Sequence, residues 1–339
     1  MKIIVDAMGG DNAPDEIVKG ALDASREPDL DIILCGRGED ILRAIERMGL
    51  KELPRGIEIV NASEVIDMDD DPVNAVREKK DSSMTVALNL LRDGRGDALV
   101  SAGNTGALLS GATLIVKRVR GVRRAALAPI IPNAAGGFVL IDTGANAECT
   151  PEYLLQFAFM GSYYAQDILK MVSPRVGLLN NGTEQTKGTQ LQVDAYQLLE
   201  KAGREGDINF IGNVEAKEVM NDVCDVLVSD GFTGNILLKS LEGMASFLMS
   251  EIKGIYKKNL ATKLSALLIR KHIHSLRVKM NSDTIGGTVL LGITKPVIKA
   301  HGSSNAAAIK SAIRQAAGAA VTDSASRLHE SIARMNRPV

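Results

Sequence analysis

Six short apolar runs in this chain end in turns built from Gly, Asn, Thr, Ser and Asp. These turns hold most of the side chains able to do chemistry. Residues 3–7 run into Met8-Gly9-Gly10-Asp11, residues 98–100 into Ser101-Ala102-Gly103-Asn104-Thr105-Gly106, and residues 138–141 into Asp142-Thr143-Gly144-Ala145-Asn146. Residues 176–179 lead into Asn180-Asn181-Gly182-Thr183-Glu184, residues 209–211 into Gly212-Asn213-Val214-Glu215, and residues 226–228 into Ser229-Asp230-Gly231-Phe232-Thr233-Gly234-Asn235. Glycine lets a backbone come close to a ligand. A helix that starts at such a turn offers unpaired N–H groups and a partial positive charge, and the two together make an anion site. Segments 101–106 and 230–235 have this form. The cations beside the turns are few: Lys187, Lys239 and His301. A site rich in neutral donors suits inorganic phosphate and a carbonyl that develops negative charge. Phosphate is already a nucleophile near neutral pH, and a thiol of free pKa about 8.5 is a good leaving group. Phosphate attack on a thioester is therefore chemistry that positioning and oxyanion donors can carry.

Other chemistries lack their residues. There is no G-x-x-x-x-G-K-[ST] nucleotide loop, and no G-x-G-x-x-G follows the first apolar run. No G-x-S-x-G nucleophile elbow and no H-E-x-x-H occurs. With four histidines in the chain, no metal centre and no cofactor is expected. Cys35, Cys149 and Cys224 are widely spaced, with no C-x-x-C, and read as reduced thiols of a cytoplasmic protein. Cys149 is the one cysteine close to a turn of interest. The opening MKIIVDAMGG reads as a strand and a glycine turn rather than a signal peptide. A net charge of −1, 3% aromatic residues and no tryptophan leave neither a global field nor stacking platforms for nucleic acid.

The turns need elements to hold them. The apolar runs are continuous rather than alternating, which marks strands buried on both faces of a parallel sheet. Right-handed crossovers gather all the following turns at the carboxyl edge, where open α/β sheets bind ligands. Helices are predicted over 14–25 and 39–48, with strands at 31–35 and 57–60. The acidic stretch Glu64, Asp67, Asp69, Asp70, Asp71 reads as a solvated loop in which Asp71 caps a helix starting at Pro72. No proline-, glycine- or serine-rich linker divides the 339 residues, so a single α/β domain over 1–339 is expected.

Taken as an ordered set, these residues resemble the bacterial phosphate acyltransferase family of phospholipid synthesis, PlsX. The resemblance rests on Val5-Asp6-Ala7-Met8-Gly9-Gly10-Asp11 with Pro14, on Ser101 to Ala107, on Asp142-x-Gly144-Ala145-Asn146 and on Gly212-Asn213-Val214-Glu215-Ala216. Asp230-Gly231-Phe232-Thr233-Gly234-Asn235 and Pro296-Val297-Ile298-Lys299-Ala300-His301-Gly302-Ser303-Ser304 complete it, and it runs from residue 1 to about 318. Asn12 stands where many members carry histidine. The resemblance implies a Rossmann-like α/β/α sandwich with a mostly parallel sheet, related to isopropylmalate dehydrogenases and phosphate acetyltransferases, in a homodimer. It implies transfer of the fatty acyl group of acyl-[acyl carrier protein] to inorganic phosphate. The acyl-phosphate then passes to a membrane glycerol-3-phosphate acyltransferase. Lys187 and Asn235 are the expected central polar groups. His301 either protonates the departing thiolate or makes a structural hydrogen bond. Asn104, Asn146, Asn181 and Thr183 are expected to position phosphate, helped by Gly9, Gly10, Gly103, Thr105, Gly106, Gly144, Gly231, Thr233 and Gly234. Asp6 and Asp11 are expected to orient loops and cap a helix.

Residues 240–280 break the pattern. Leu241, Met244, Ala245, Leu248, Ile252 and Ile255 share one helical face, and Leu260, Leu264, Leu267 and Leu268 restart a stripe. Between 250 and 280, eight basic residues face the single acid Glu251. An apolar face beside a basic one predicts a protruding helical hairpin at an anionic membrane surface, or a dimer contact, or both. Lys257, Lys258, Lys263 and Leu267 are its expected membrane contacts. Arg118, Arg120, Arg123 and Arg124 form a second basic cluster, suited to docking an acidic carrier protein. Three other readings stay open: a coenzyme A-dependent phosphate acetyl- or butyryltransferase, a nicotinamide-dependent β-decarboxylating dehydrogenase, and a non-catalytic membrane-recruited scaffold. The dehydrogenase lacks paired helical aspartates for its divalent metal.

Overall fold

The computed structural model describes residues 1–280, 286–322 and 324–335. In chain order the elements are β1 (Lys2–Asp6), α1 (Asp15–Ala24), β2 (Asp31–Gly36), α2 (Gly38–Arg47), β3 (Ile57–Asn61), α3 (Pro72–Glu78), α4 (Ser83–Arg92), β4 (Ala98–Ser101) and α5 (Thr105–Gly111). The last continues as a π-helical stretch, Ala112–Val116. Then follow β5 (Ala126–Ala128), β6 (Ile130–Ile131), β7 (Phe138–Ile141), α6 (Pro151–Ile168), β8 (Arg175–Asn180), α7 (Gln190–Arg204), β9 (Asn209–Glu215) and β10 (Val226–Val228). The chain closes with α8 (Gly231–Lys257), α9 (Leu260–Met280), β11 (Thr288–Leu291), β12 (Val297–Lys299), α10 (Ala306–Ala320) and α11 (Ser324–Met335). No helix among the described residues is long and apolar enough to cross a membrane.

The α/β class holds, but the strands divide between two sheets. One has the order β3-β2-β1-β4-β12-β11-β5 and the other β6-β7-β10-β8-β9. Pairing is parallel except around β11 and between β6 and β7. A continuous apolar run states only that a strand is covered on both faces, and it carries no record of its neighbours. The expected gathering of every turn at one edge is therefore replaced by two carboxyl edges. The chain steps from one sheet to the other at Pro129, between β5 and β6.

A second difference concerns 212–215, expected as a turn and found as the end of β9. Phe210 pairs with Val176 and Gly212 with Gly177, so Ile211 is the extra residue of a bulge. Gly212, at φ +95°, absorbs the irregularity and the strand continues. The cap at Asp71 forms as expected, with its carboxylate accepting from the Asn74 N–H at 2.8 Å. The hairpin begins earlier than 240, because α8 leaves directly from the 229–231 turn.

Glycine also sets how closely these parts pack. A Cβ on Gly234 would lie 2.0 Å from the Asp142 carbonyl oxygen, so α8 can dock on the loop after β7 only with hydrogen there. Gly234→Ala is expected to lower the unfolding free energy by about 2 kcal/mol or more. Gly318→Ala, exposed in the last turn of α10 with open space around it, is expected to raise it by up to about 1 kcal/mol. Denaturant titration of both variants checks the pair, and equal effects would remove the steric argument.

Candidate active site

The first-sheet side of the site is built over Asp6, at the end of β1. Its carboxylate is buried and accepts from Ser101 Oγ at 2.7 Å and the Met8 N–H at 3.3 Å. Burial raises its pKa, while hydrogen bonds from Ser83 and Ser101 pull the other way. Above it the turns after β1, β4 and β12 lock together. A Cβ on Gly9 would meet the Gly103 nitrogen at 2.6 Å, and one on Gly10 the Gly302 oxygen at 2.9 Å. The Asp11 N–H donates to the Gly302 carbonyl at 2.8 Å. Asn12 donates through Nδ2 to the carbonyls of Ser303 and Ser304.

On the second sheet, Asp142 has the same role. Its buried carboxylate accepts from the N–H groups of Leu127 at 2.9 Å, Ala145 at 3.1 Å and Asn146 at 2.7 Å, and from Asn146 Nδ2 at 2.9 Å. Burial raises its pKa against the pull of these donors. The Asn146 carbonyl then receives the first N–H of α8, from Gly231, at 2.8 Å. Asp230 caps that helix, accepting from both the N–H and the Oγ1 of Thr233 at 2.8 Å.

Between the two edges lies a cleft of about 400 Å³. Thr105 and Gly106 enter from the start of α5, Thr143 and Gly144 from the loop after β7, and Asn235 and Lys239 from α8. Lys299, Ala300 and His301 close it from the end of β12. Lys299 is 9% exposed. Its ammonium donates to the carbonyl oxygens of Ala102, at 3.3 Å, and Ala300. Burial pushes its pKa down to about 8, against the attraction of Asp6 and Asp11, and Lys239 pushes the same way as burial. Lys239 itself is paired with Glu242 at 2.7 Å. His301 is exposed, with Nδ1 and Ser303 Oγ 2.9 Å apart.

The expected site residues thus separate. Thr105, Gly106, Gly144, Asn235 and His301 line the cleft. Gly9, Gly10, Gly103, Gly231 and Gly234 instead meet the protein's own backbone or core side chains. Asn104 and Asn146, expected to position phosphate, are occupied. Asn104 caps α5 at Ala107 and donates to the carbonyls of Asp67 and Met68, and Asn146 donates to Asp142 and Ala125. Asn181, Thr183 and Lys187 are exposed on the loop after β8, beside β10 in the sheet, and do not line the cleft. Arg118 and Arg124 face a separate cavity, while Arg120 and Arg123 lie exposed near it in sequence. Lys257, Lys258, Lys263 and Leu267 are exposed on the hairpin. Burial pushes the thiols of Cys149 and Cys224 up to about 12, and that of Cys35 upward as well, away from the thiolate a covalent mechanism needs. Lys299 is the residue that sequence reasoning missed as a site group. Its signal was a lysine ending an otherwise apolar strand.

A profile of the family described as fatty acid synthesis protein matches residues 1–327. A phosphate acyltransferase of Thermoanaerobacter pseudethanolicus is 47% identical over 336 residues, covering 99% of this chain and 98% of that protein. One from Clostridioides difficile is 47% identical over 317 residues, covering 93% and 91%. Among solved structures, a phosphotransacetylase from Streptococcus pyogenes superposes with a TM-score of 0.63 at 20% identity, covering 95% of this chain and 94% of that one. A branched-chain phosphotransacylase from Enterococcus faecalis gives 0.57 at 16%, covering 94% and 98%. These two likenesses are of fold.

Lys299 also makes a thermodynamic signature. Its folded pKa of about 8 lies below the ordinary 10.5, so between those values the unfolded chain binds more protons and the lysine's contribution to stability rises with pH. Below pH 8 both states are protonated and the burial cost stands in full. The difference in unfolding free energy between parent and Lys299→Met should therefore shift in the parent's favour from pH 8 to 10. Denaturant titrations at pH 7, 8, 9 and 10 read it, and a flat difference would mean that the lysine is not buried as a charge.

Proposed function

The chain belongs to the fatty acid synthesis protein family, and on that premise we propose that it is a phosphate acyltransferase. It moves the fatty acyl group of acyl-[acyl carrier protein] to inorganic phosphate. The observation that supports this reading is the cleft itself: a buried ammonium, a helix start and an amide side chain converge on it, and no activated thiol is present. Phosphate is held at Lys299 and the start of α5. One phosphate oxygen attacks the thioester carbonyl, forming the C–O bond. Asn235 donates to the oxygen that gains charge, as oxyanion donors do. The C–S bond then breaks, and the thiolate of the carrier takes a proton, with His301 at the mouth as its donor. Lys187, exposed on the adjoining loop, supplies a second cation.

The same reading gives the hairpin its work. Phe247 is 58% and Leu268 79% exposed, beside exposed Lys257, Lys258 and Lys263. Residues Leu237, Leu238 and Leu241, at the base of α8, pack on the second sheet's core. The base is thus anchored, and the outer part offers apolar and basic surface to a partner subunit and to an anionic membrane. Release there places the acyl-phosphate beside the glycerol-3-phosphate acyltransferase that consumes it.

The primary test incubates the protein with acyl-[acyl carrier protein] and phosphate and traps acyl-phosphate with hydroxylamine. Product should form, and faster than with acyl-coenzyme A. Preference for acyl-coenzyme A would support the phosphotransacetylase alternative, and no product from either would overturn the enzyme reading. Lys299→Ala and Lys187→Ala should each lower turnover by about 10²-fold, and activity within threefold of the parent removes that lysine from the site.

A further test addresses the hairpin. The parent should sediment with anionic vesicles, release with salt, and ignore neutral ones. Changing Lys257, Lys258 and Lys263 to Glu and Leu267 to Ala should abolish sedimentation while solution turnover persists. Inactive monomers instead would make the hairpin a dimer contact first.

A further inference from the structure

Beside the cleft lies a second cavity, of about 290 Å³. Leu109 walls both spaces, and the successive residues Gly144 and Ala145 wall one each. Three arginines line the second space: Arg77 from α3, and Arg118 and Arg124 from the loop between the π-helical stretch and β5. Among the described residues no carboxylate lines it. Among the described residues, none of the three arginines pairs with an acid. Arg118 donates to the Arg123 carbonyl, and Arg124 lies over the Tyr153 ring at 5.8 Å. Like charges gathered around one space repel unless an anion joins them, and arginine forks match phosphate oxygens bidentately. The remaining wall is mostly apolar, from Val73 and Leu114 among others, with Ser110, Thr113 and Asn146 as its polar members.

That combination points away from free phosphate, whose whole surface asks for donors. It fits a singly charged phosphodiester that continues into an uncharged, branched amide chain. We propose that the cavity binds the phosphodiester of the pantetheine arm of acyl carrier protein, and that the arm passes Leu109 to lay its thioester in the cleft. This rests on the acyl-transfer reading above. From Thr105, in the cleft, to Ser110, in the second cavity, the helix α5 advances about 7.5 Å, a distance the extended arm spans. Carrier protein rather than coenzyme A is the source we assign. Exposed Lys117, Arg120 and Arg123 neighbour the cavity's Arg118 and Arg124 in sequence, and the basic stretch is complementary to an acidic protein.

Arg77 isolates the proposal, because it lies on a different element from the other basic residues and outside the cleft. For Arg77→Gln, the ratio of kcat/KM for an acyl-pantetheine carrying a methyl phosphodiester to that for its unphosphorylated acyl-pantetheine analogue should fall about tenfold, with kcat/KM for acyl carrier protein falling alongside. Arg77→Lys should recover part of it. An unchanged ratio overturns the phosphodiester assignment. A raised KM for inorganic phosphate alone would make the cavity a phosphate site. A loss confined to acyl-coenzyme A would reassign the arm's source and overturn the carrier assignment. Binding separates this proposal from the reaction. Holo-carrier protein, titrated by fluorescence polarisation, should bind the parent about tenfold tighter than Arg77→Gln, and apo-carrier protein, which lacks the arm, should show no such difference. That result stands even if no acyl-phosphate forms, and equal holo and apo behaviour overturns the proposal.

Discussion

The carboxylate of Asp142 has to satisfy its oxygens in a place that water does not reach. It does so with donors from both halves of the molecule. The Leu127 N–H comes from β5 in the first sheet, and the Ala145 and Asn146 donors come from the loop that follows β7 in the second. A buried charge or acid with fewer partners would cost several kcal/mol, so the two sheets cannot separate or slide here without exposing it. Through the Asn146 carbonyl the same carboxylate sets where α8 begins, and hence where Asn235 stands. Asp6 repeats the arrangement under the turns of the first sheet. The cleft is the space left between two such knots.

This explains why the glycines do less for a ligand than their spacing suggests. The close approach that glycine permits is mostly used by the protein on itself: Gly9 on Gly103, Gly10 on Gly302, Gly231 on Asn146, Gly234 on Asp142. The turns are thereby held at fixed separations, and in the proposed role, stabilising developing charge, the cleft gains from walls that do not have to move to do so.

Much of this was legible in the residues. Strand and helix positions followed from apolar runs and caps such as Asp71, and Asn235, Gly144 and His301, expected at the site, line the cleft. Two things were not. The division into two sheets is a matter of which strands pair, and runs such as 98–100 and 138–141 look alike whichever partner they take. The roles of Asn104 and Asn146 were also hidden, because an amide that caps a helix and one that holds a ligand have the same sequence signature. Lys299 is the converse case. It sat in plain view at the end of an apolar strand, but its burial depends on three turns closing over it, and that is set by contacts far apart in the chain.

The helix α8 runs unbroken for 27 residues, from the Asp230 cap to Lys257, a rod of about 40 Å. Its first turns present Asn235 to the cleft and its far end carries the exposed basic and apolar surface, so the two belong to one rigid body. A lever of that length has an unequal gear ratio. Tilting it by about 5° about its docked end carries the far end by about 3.5 Å, while Asn235, roughly 6 Å from the pivot, moves by about half an ångström. Whatever touches the outer end is therefore a coarse adjustment of a fine alignment, and the seating of the hairpin becomes a condition on the geometry of the cleft.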